Sequence, residues 1–75
     1  MWHVIINCSA VGWTTYNQEF RAIADRYPDI KLITKKMKDD ERRIMECDME
    51  DVDDAETFVA ACMELDGFSA TFEAN

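Results

Sequence analysis

Four short segments of the chain alternate apolar with polar residues, and the segments between them carry apolar residues at helical spacing. Strict alternation is typical of a strand with one buried face, whereas recurrence at every third or fourth position is typical of an amphipathic helix. The pattern predicts a first strand over residues 2–10, a β-hairpin over 29–51 and a last strand over 68–73. One helix is expected before the hairpin and one after it.

The hairpin is well defined, because its alternation selects one register. A tight turn at Asp39-Asp40 pairs Thr34 with Met45 and gathers the apolar residues on one face. A slip by one residue would exchange the two faces. The residues predicted to face inward are Ile30, Leu32, Thr34, Met45, Cys47 and Met49. The opposite face pairs Lys31 with Asp48, Ile33 with Glu46 and Lys35 with Ile44.

Capping signals predict the limits of the first helix. Thr15, with Gln18 three residues later, matches a capping box, so residues 10–14 are expected to form a loop before the helix. Pro28 is expected to stop the helix. The predicted buried stripe is Tyr16, Phe20, Ile23, Ala24 and Tyr27.

The second helix is predicted to start within residues 51–54, where Asp53 and Glu56 form another capping box. Gly67 stands where a left-handed residue is expected after the helix. The predicted buried stripe is Ala55, Phe58, Val59, Cys62 and Met63, followed in the last strand by Phe68, Ala70 and Phe72.

The order β-α-β-β-α-β predicts a single α+β domain over residues 1–75 with the topology of a ferredoxin-like sandwich. Its four-stranded antiparallel sheet has the expected order 4-1-3-2, with both helices on one face. The first strand is then central. Its inward face carries Trp2, Val4, Ile6 and Cys8, and its outward face carries His3, Ile5, Asn7 and Ser9. Many unrelated functions share this topology, so the fold by itself does not indicate one.

The net charge of −8 argues against direct binding of nucleic acid or an anionic membrane, because such binding depends on positive charge. The longest apolar run has three residues, Val4-Ile5-Ile6, so we expect no membrane span and no secretory signal. Cys8, Cys47 and Cys62 lack the spacing of a zinc site and are expected to be buried, reduced thiols. We therefore expect a cytoplasmic protein without a metal or cofactor.

Six of the eight Lys and Arg residues lie between Lys31 and Arg43. One interpretation is a basic prong that contacts phosphate or an acidic protein. The other is an edge strand protected by lysines, with a tip balanced by Asp39, Asp40 and Glu41. We favour the second, because the interspersed acids cancel the field that a phosphate would feel.

Seven carboxylates fall within residues 46–56 and form the principal candidate for partner binding. They either imitate the spaced phosphates of a nucleic acid and occupy a basic groove of a partner, or form a solvated turn and helix cap. A calcium loop is disfavoured, since the central glycine and the terminal glutamate are missing. The candidate contact residues are Glu46, Asp48, Glu50, Asp51, Asp53 and Asp54.

Trp13 and Tyr16 are the candidate apolar anchors of an interface, because tryptophan and tyrosine are enriched at binding hot spots. The alternative is that Trp13 covers the small core. Both interpretations stay open at this point.

The sequence provides no set of catalytic residues, so we do not expect an enzyme. His3 is the one histidine, and neither a serine elbow nor a phosphate-cradling glycine run is present. We expect His3 to be an ordinary, half-exposed surface residue. The central strands also lack outward aromatics on which RNA bases could stack.

Two functional hypotheses follow. The first is a small, acidic, non-enzymatic binding protein that docks on a protein with a basic surface and modulates or inhibits it. Its composition is typical of adaptors and inhibitors, including those that phages and mobile elements encode. The second is a regulatory domain that binds a small molecule and dimerises through its sheet, suggested by the apolar outward residues Ile5, Ile33 and Ile44.

Overall fold

The computed structural model describes residues 1–74, and over this range it contains two helices and one four-stranded antiparallel sheet. The elements are β1 (Trp2–Cys8), α1 (Ala10–Ala24), β2 (Ile33–Lys36), β3 (Arg43–Met49), α2 (Val52–Met63) and β4 (Phe68–Ala74). The sheet order is β2-β3-β1-β4, which is the predicted order read from the other edge. The α+β class and the antiparallel topology are therefore confirmed.

The predicted hairpin register is also confirmed. Ile33 lies opposite Glu46, and Thr34 lies opposite Met45. β2 is shorter than predicted, with only four residues in the ladder. Ile30 and Leu32 precede it, yet both pack against the core as their inward positions predict. Thr34 is exposed, because β2 is an edge strand and every residue in it is accessible to solvent.

The hairpin tip differs from the tight turn predicted at Asp39-Asp40. The N–H of Met37 donates to the carbonyl of Arg42 at 2.7 Å, and residues 38–41 lie between these two. Glu41 takes a φ of 59°. A two-residue hairpin turn requires positive φ at its central residues, which is costly for two aspartates without a glycine. The chain uses a longer tip instead.

The predicted start of the first helix is wrong. The segment predicted as a loop is the first turn of α1, and Ser9 caps it, with Oγ accepting from the N–H of Gly12 at 3.0 Å. Thr15 lies inside the helix and donates its hydroxyl to the carbonyl of Val11 at 2.9 Å. A threonine that bonds back to the preceding turn cannot also cap.

A close contact between two glycines explains why α1 begins early. The N–H of Ser9 donates to the carbonyl of Gly67 at 2.9 Å. A Cβ on Gly67 would lie 2.6 Å from Ser9 Oγ and 3.0 Å from the Cα of Gly12. Gly67 also has a φ of +86°, the left-handed conformation predicted for it. The start of α1 therefore rests directly on the turn before β4.

α1 ends at Ala24, three residues before Tyr27, the last residue of the predicted buried stripe. The N–H of Arg26 donates to Ile23 and that of Tyr27 donates to Ala24, so the last turn tightens to three-residue spacing. Pro28 follows, and proline disfavours the helical conformation in the residue before it. Phe20 and Ile23 are buried, and the other predicted stripe residues, Tyr16, Ala24 and Tyr27, pack partly buried against the core.

In α2 the cap is Asp51, whose Oδ1 accepts from the N–H of Asp53 at 2.8 Å. The capping box predicted at Asp53 is therefore wrong, since Asp53 already lies inside the helix. Four of the five predicted stripe residues are buried, but Met63 is 56% exposed. Met63 is the last residue of the helix, where the buried stripe ends.

One hydrophobic cluster unites the inward residues of the strands with the stripes of both helices. Phe20 is central to it, because its ring contacts those of Phe58 and Phe68 at centroid distances of 6.3 and 5.7 Å. The buried members are Val4, Ile6, Cys8, Phe20, Ile23, Met45, Cys47, Met49, Ala55, Phe58, Val59, Cys62, Phe68 and Ala70. Neither helix within residues 1–74 is long and apolar enough to cross a membrane.

Candidate functional site

Four of the six predicted acidic residues gather at one end of the molecule, where β3 passes into α2. The turn there faces the connection between α1 and β2 across a groove of about 520 Å³. We call it the acidic groove and define it by the carboxylates that line it: Asp29, Asp48, Glu50, Asp51 and Asp54. Four of these five belong to the predicted contact set.

The acidic groove is not uniformly negative. Arg26 lines it, together with the ring of Tyr27. Asp51 also has a structural role as the cap of α2, which accounts for its carboxylate without any partner. The remaining two predicted residues lie elsewhere: Asp53 is exposed on α2, and Glu46 lies further back along β3 on the outer face of the sheet.

Trp13 lies at the opposite end of β3 from the acidic groove. Its ring is half-buried, 6.0 Å from that of Phe20, and it packs against the core. The guanidinium carbons of Arg43 and Arg21 lie 4.7 and 5.7 Å from the ring centroid. Trp13 therefore covers the core and carries two cations at the same time.

The two predicted groups do not form one site. Arg43, beside Trp13, begins β3, and Met49, beside the acidic groove, ends it. The strand has seven residues, so its two ends lie about 20 Å apart at ~3.3 Å per residue step. Tyr16 is half-buried on α1 and also packs against the core.

His3 is more than the ordinary surface residue that the sequence predicts, because it joins two carboxylates on the open face of the sheet. Its Nδ1 lies 2.8 Å from Asp48 Oδ1, and its Nε2 lies 3.1 Å from Glu46 Oε1. A neutral imidazole carries one N–H, so only the protonated ring donates to both carboxylates. The hydrogen bond to Asp48, followed by that to Glu46, raises the pKa of His3 above 6.5. The sequence could have revealed this contact through the predicted sheet order, because that order places the first strand beside the third.

The open face of the sheet combines these charges with apolar residues. Ile33 is 62% exposed on the edge strand, and Ile5 and Ile44 are half-buried on the central strands. A shallow groove of about 390 Å³ crosses this face between β2 and β3, and His3 and Lys31 are among the residues that line it.

The cations of the hairpin tip have acidic neighbours. Lys36 Nζ lies 3.8 Å from Glu41 Oε1, and Arg42 Nε lies 3.9 Å from Asp40 Oδ2. These contacts support the prediction of a balanced tip rather than a basic prong.

The three cysteines are buried free thiols, as their inward positions predict. Burial raises the pKa of Cys8 and Cys47 to about 11 and that of Cys62 to about 12. These thiols are neutral at physiological pH and therefore poor nucleophiles. Among residues 1–74, no group of three or more His, Cys, Asp or Glu side chains is arranged to hold a metal ion.

Comparison with known proteins gives no match: neither a family model, a curated protein nor a solved structure is detectably similar to this chain. The functional interpretation therefore depends on the residues and their geometry.

Proposed function

We propose that this chain is a small, non-enzymatic, acidic binding protein that docks on a protein with a basic surface and modulates or inhibits it. The observation that carries the proposal is the convergence of Asp48, Glu50, Asp51 and Asp54 on the acidic groove. Several carboxylates around one groove offer acceptor oxygens that match the forked donors of arginine and the ammonium of lysine.

The shape of the groove suggests how a partner would bind. A basic side chain of the partner would enter between the β3–α2 turn and the α1–β2 connection, with its apolar stem beside Tyr27 and Ile30. In this proposal the spaced carboxylates occupy the positions that phosphates would take in a nucleic-acid ligand of the same partner. We propose further that the scaffold is a ferredoxin-like sandwich with both helices on one face. We also propose that the protein is cytoplasmic and of the kind that phages and mobile elements encode.

The test is a pull-down from lysate of the native host, using the wild type and a variant carrying Glu50→Gln, Asp51→Asn and Asp54→Asn. Asparagine also caps helices well, so these changes remove charge while keeping the fold. The matched control is Glu19→Gln, Glu64→Gln and Asp66→Asn, which removes three charges from exposed positions elsewhere.

We expect the groove variant to lose the captured partner and the control to retain it, and we expect high salt to release the partner from the wild type. Capture that survives both the groove variant and high salt would contradict the proposal, since it would show a contact that does not depend on these carboxylates.

A second candidate function is a regulatory domain that binds a small molecule and dimerises through its sheet. It is favoured by one observation, the apolar atoms of Ile5, Ile33 and Ile44 on the open face. Ile33 is 62% exposed and is separated from Ile5 by Glu46. Static light scattering at about 1 mM protein, with and without added metabolite extract, tests it. A monomer under both conditions would contradict this candidate.

A further inference from the structure

A row of four ionisable side chains crosses the open face of the sheet. Asp48 on β3 lies opposite His3 on β1, and His3 lies opposite Glu73 on β4. When the β2–β3 register is extended two residues before the start of β2, Lys31 lies opposite Asp48. Both residues line the groove on this face. From β2 to β4 the charges therefore read plus, minus, plus, minus when His3 is protonated.

Such a row is complementary to itself when it is reversed. A two-fold axis parallel to the strands, placed between β3 and β1, turns one sheet over onto the other and reverses the strand order. Lys31 of one copy then faces Glu73 of the second copy, and Asp48 faces His3. We propose that the open face is the contact surface between two copies of this chain, packed face to face about this axis.

The apolar residues of the face support the same axis. Ile5 lies on β1 and Ile44 on β3, the two strands that flank it. Each of these residues would therefore lie diagonally beside its own symmetry mate near the centre of the contact, where water is excluded most completely. Directly opposite them, Ile5 would face Glu46 and Ile44 would face Asn7 of the second copy. Ile33, on the edge strand, would contact Thr71 of the second copy, since both stand in the row of Ile5.

One carboxylate close to the axis needs its own compensation. Glu46 lies in the row of Ile5 on β3 and approaches its symmetry mate. Its Oε1 is bonded to Nε2 of His3 at 3.1 Å, so the protonated imidazole of the same copy offsets the negative charge.

The open face is small for a contact between two proteins. Three strands of seven residues and one of four present roughly 400 Å² in projection, at ~3.3 Å per residue and ~4.8 Å between strands. This is below the ~800 Å² per partner of a standard stable interface. We therefore expect a reversible dimer with a dissociation constant on the order of 0.1 mM. The inference deepens the second proposed function and rests on its sheet contact, but requires no small molecule.

The experiment exchanges the charges of the outer pair. Lys31→Glu sets a new carboxylate against Glu73 of the second copy, and Glu73→Lys sets a new ammonium against Lys31, so each variant alone should be monomeric. Mixing the two variants restores opposite charges at both outer pairs of each mixed dimer, because one chain carries carboxylates at positions 31 and 73 and the other carries ammonium groups there. The mixture should therefore dimerise. Sedimentation equilibrium at about 1 mM, tenfold above the expected dissociation constant, should show monomers for each variant and dimers for the wild type and the doubly exchanged chain, Lys31→Glu with Glu73→Lys.

Net charge provides a matched control. Glu73→Lys and Glu64→Lys reduce the negative charge equally, but Glu64 lies beyond α2 and outside the face. If general repulsion between negative chains governed association, both variants would associate more than the wild type, because each is less negative. The proposed contact instead predicts that only Glu73→Lys associates less than the wild type. The exchanged residues are exposed, so the variants should fold, which circular dichroism checks; Ile33→Asp is a second variant expected to abolish the dimer.

A wild type that is monomeric at about 1 mM would overturn the proposal, and so would a doubly exchanged chain that stays monomeric while the wild type dimerises. A dimer that survives Lys31→Glu would place the contact elsewhere and would also overturn it. A dimer confirmed in the absence of metabolites, with no small molecule found to bind, would leave this inference intact and remove only the second proposed function.

Discussion

The two faces of the sheet use neighbouring residues of the same type for different purposes. Ile6 is completely buried beneath the helices, while Ile5, the residue before it, lies half-buried on the open face. On the covered face no polar or charged side chain of residues 1–74 is buried, and Thr34, at the edge of this face, is exposed. On the open face, Ile5 stands between Glu46 and Thr71.

Because successive residues of a strand point to opposite faces of the sheet, each strand of this small domain contributes to both the core and the exposed surface. The covered face supplies the stability of the chain, because nearly all of its buried apolar residues lie there. The open face and the acidic groove carry the charges and the exposed apolar atoms, which are what a second molecule would contact.

The largest expected effect is the contrast between Ile6→Ala and Ile5→Ala. Removing a buried isoleucine leaves a cavity, so Ile6→Ala should lower the free energy of unfolding by about 2–5 kcal/mol. Ile5→Ala should cost less than about 1 kcal/mol in a dilute monomer, because the lost atoms are partly in water. Urea unfolding measures both. Equal losses would show that the open face contributes to the core.

The fold was largely predictable because its signals are local and periodic. Alternation located the strands, and the position of the hairpin tip together with that pattern selected the register that pairs Thr34 with Met45. The start of α1 was missed because its cause is not local. Thr15 and Gln18 have the spacing of a capping box, but the contact of Gly12 with Gly67, distant in sequence, allows Ser9 to cap instead.

The candidate site was predictable only in part, for a similar reason. The density of carboxylates along residues 46–56 is visible in the sequence, but the groove also needs Asp29 and Tyr27 from another part of the chain. The contacts of His3 depend on which strand adjoins β1, and hence on the tertiary fold.

A smaller effect is expected at the helices that cover the inner face. Asp51→Ala removes the cap of α2 and should lower the free energy of unfolding by about 1 kcal/mol. Thr15→Ala should have almost no effect, because Thr15 lies inside α1, where alanine is the better helix former. Thermal unfolding of the two variants compares them. A larger loss for Thr15→Ala would show that the helix starts where the local pattern places it.

The smallest expected effect on stability belongs to the open face. The pKa of His3 is raised in the folded chain, so its stabilising contribution is complete below pH 6.5 and is lost as pH rises through the folded pKa. Urea unfolding of dilute protein should therefore show stability falling over that interval in the wild type. His3→Gln should flatten this dependence, and an identical slope in both proteins would rule out His3 as its source.

The division between the two faces can be tested most directly with the δ1 methyl groups of the six isoleucines. Ile6, Ile23 and Ile30 belong to the covered side, and Ile5, Ile33 and Ile44 belong to the open face. In methyl NMR spectra recorded while the protein is diluted from about 1 mM to about 10 μM, a range that spans the affinity expected of a small interface, only the second set should shift. Shifts confined to the covered set, or no shift at all, would contradict the claim that the open face is where this protein meets a second copy of itself.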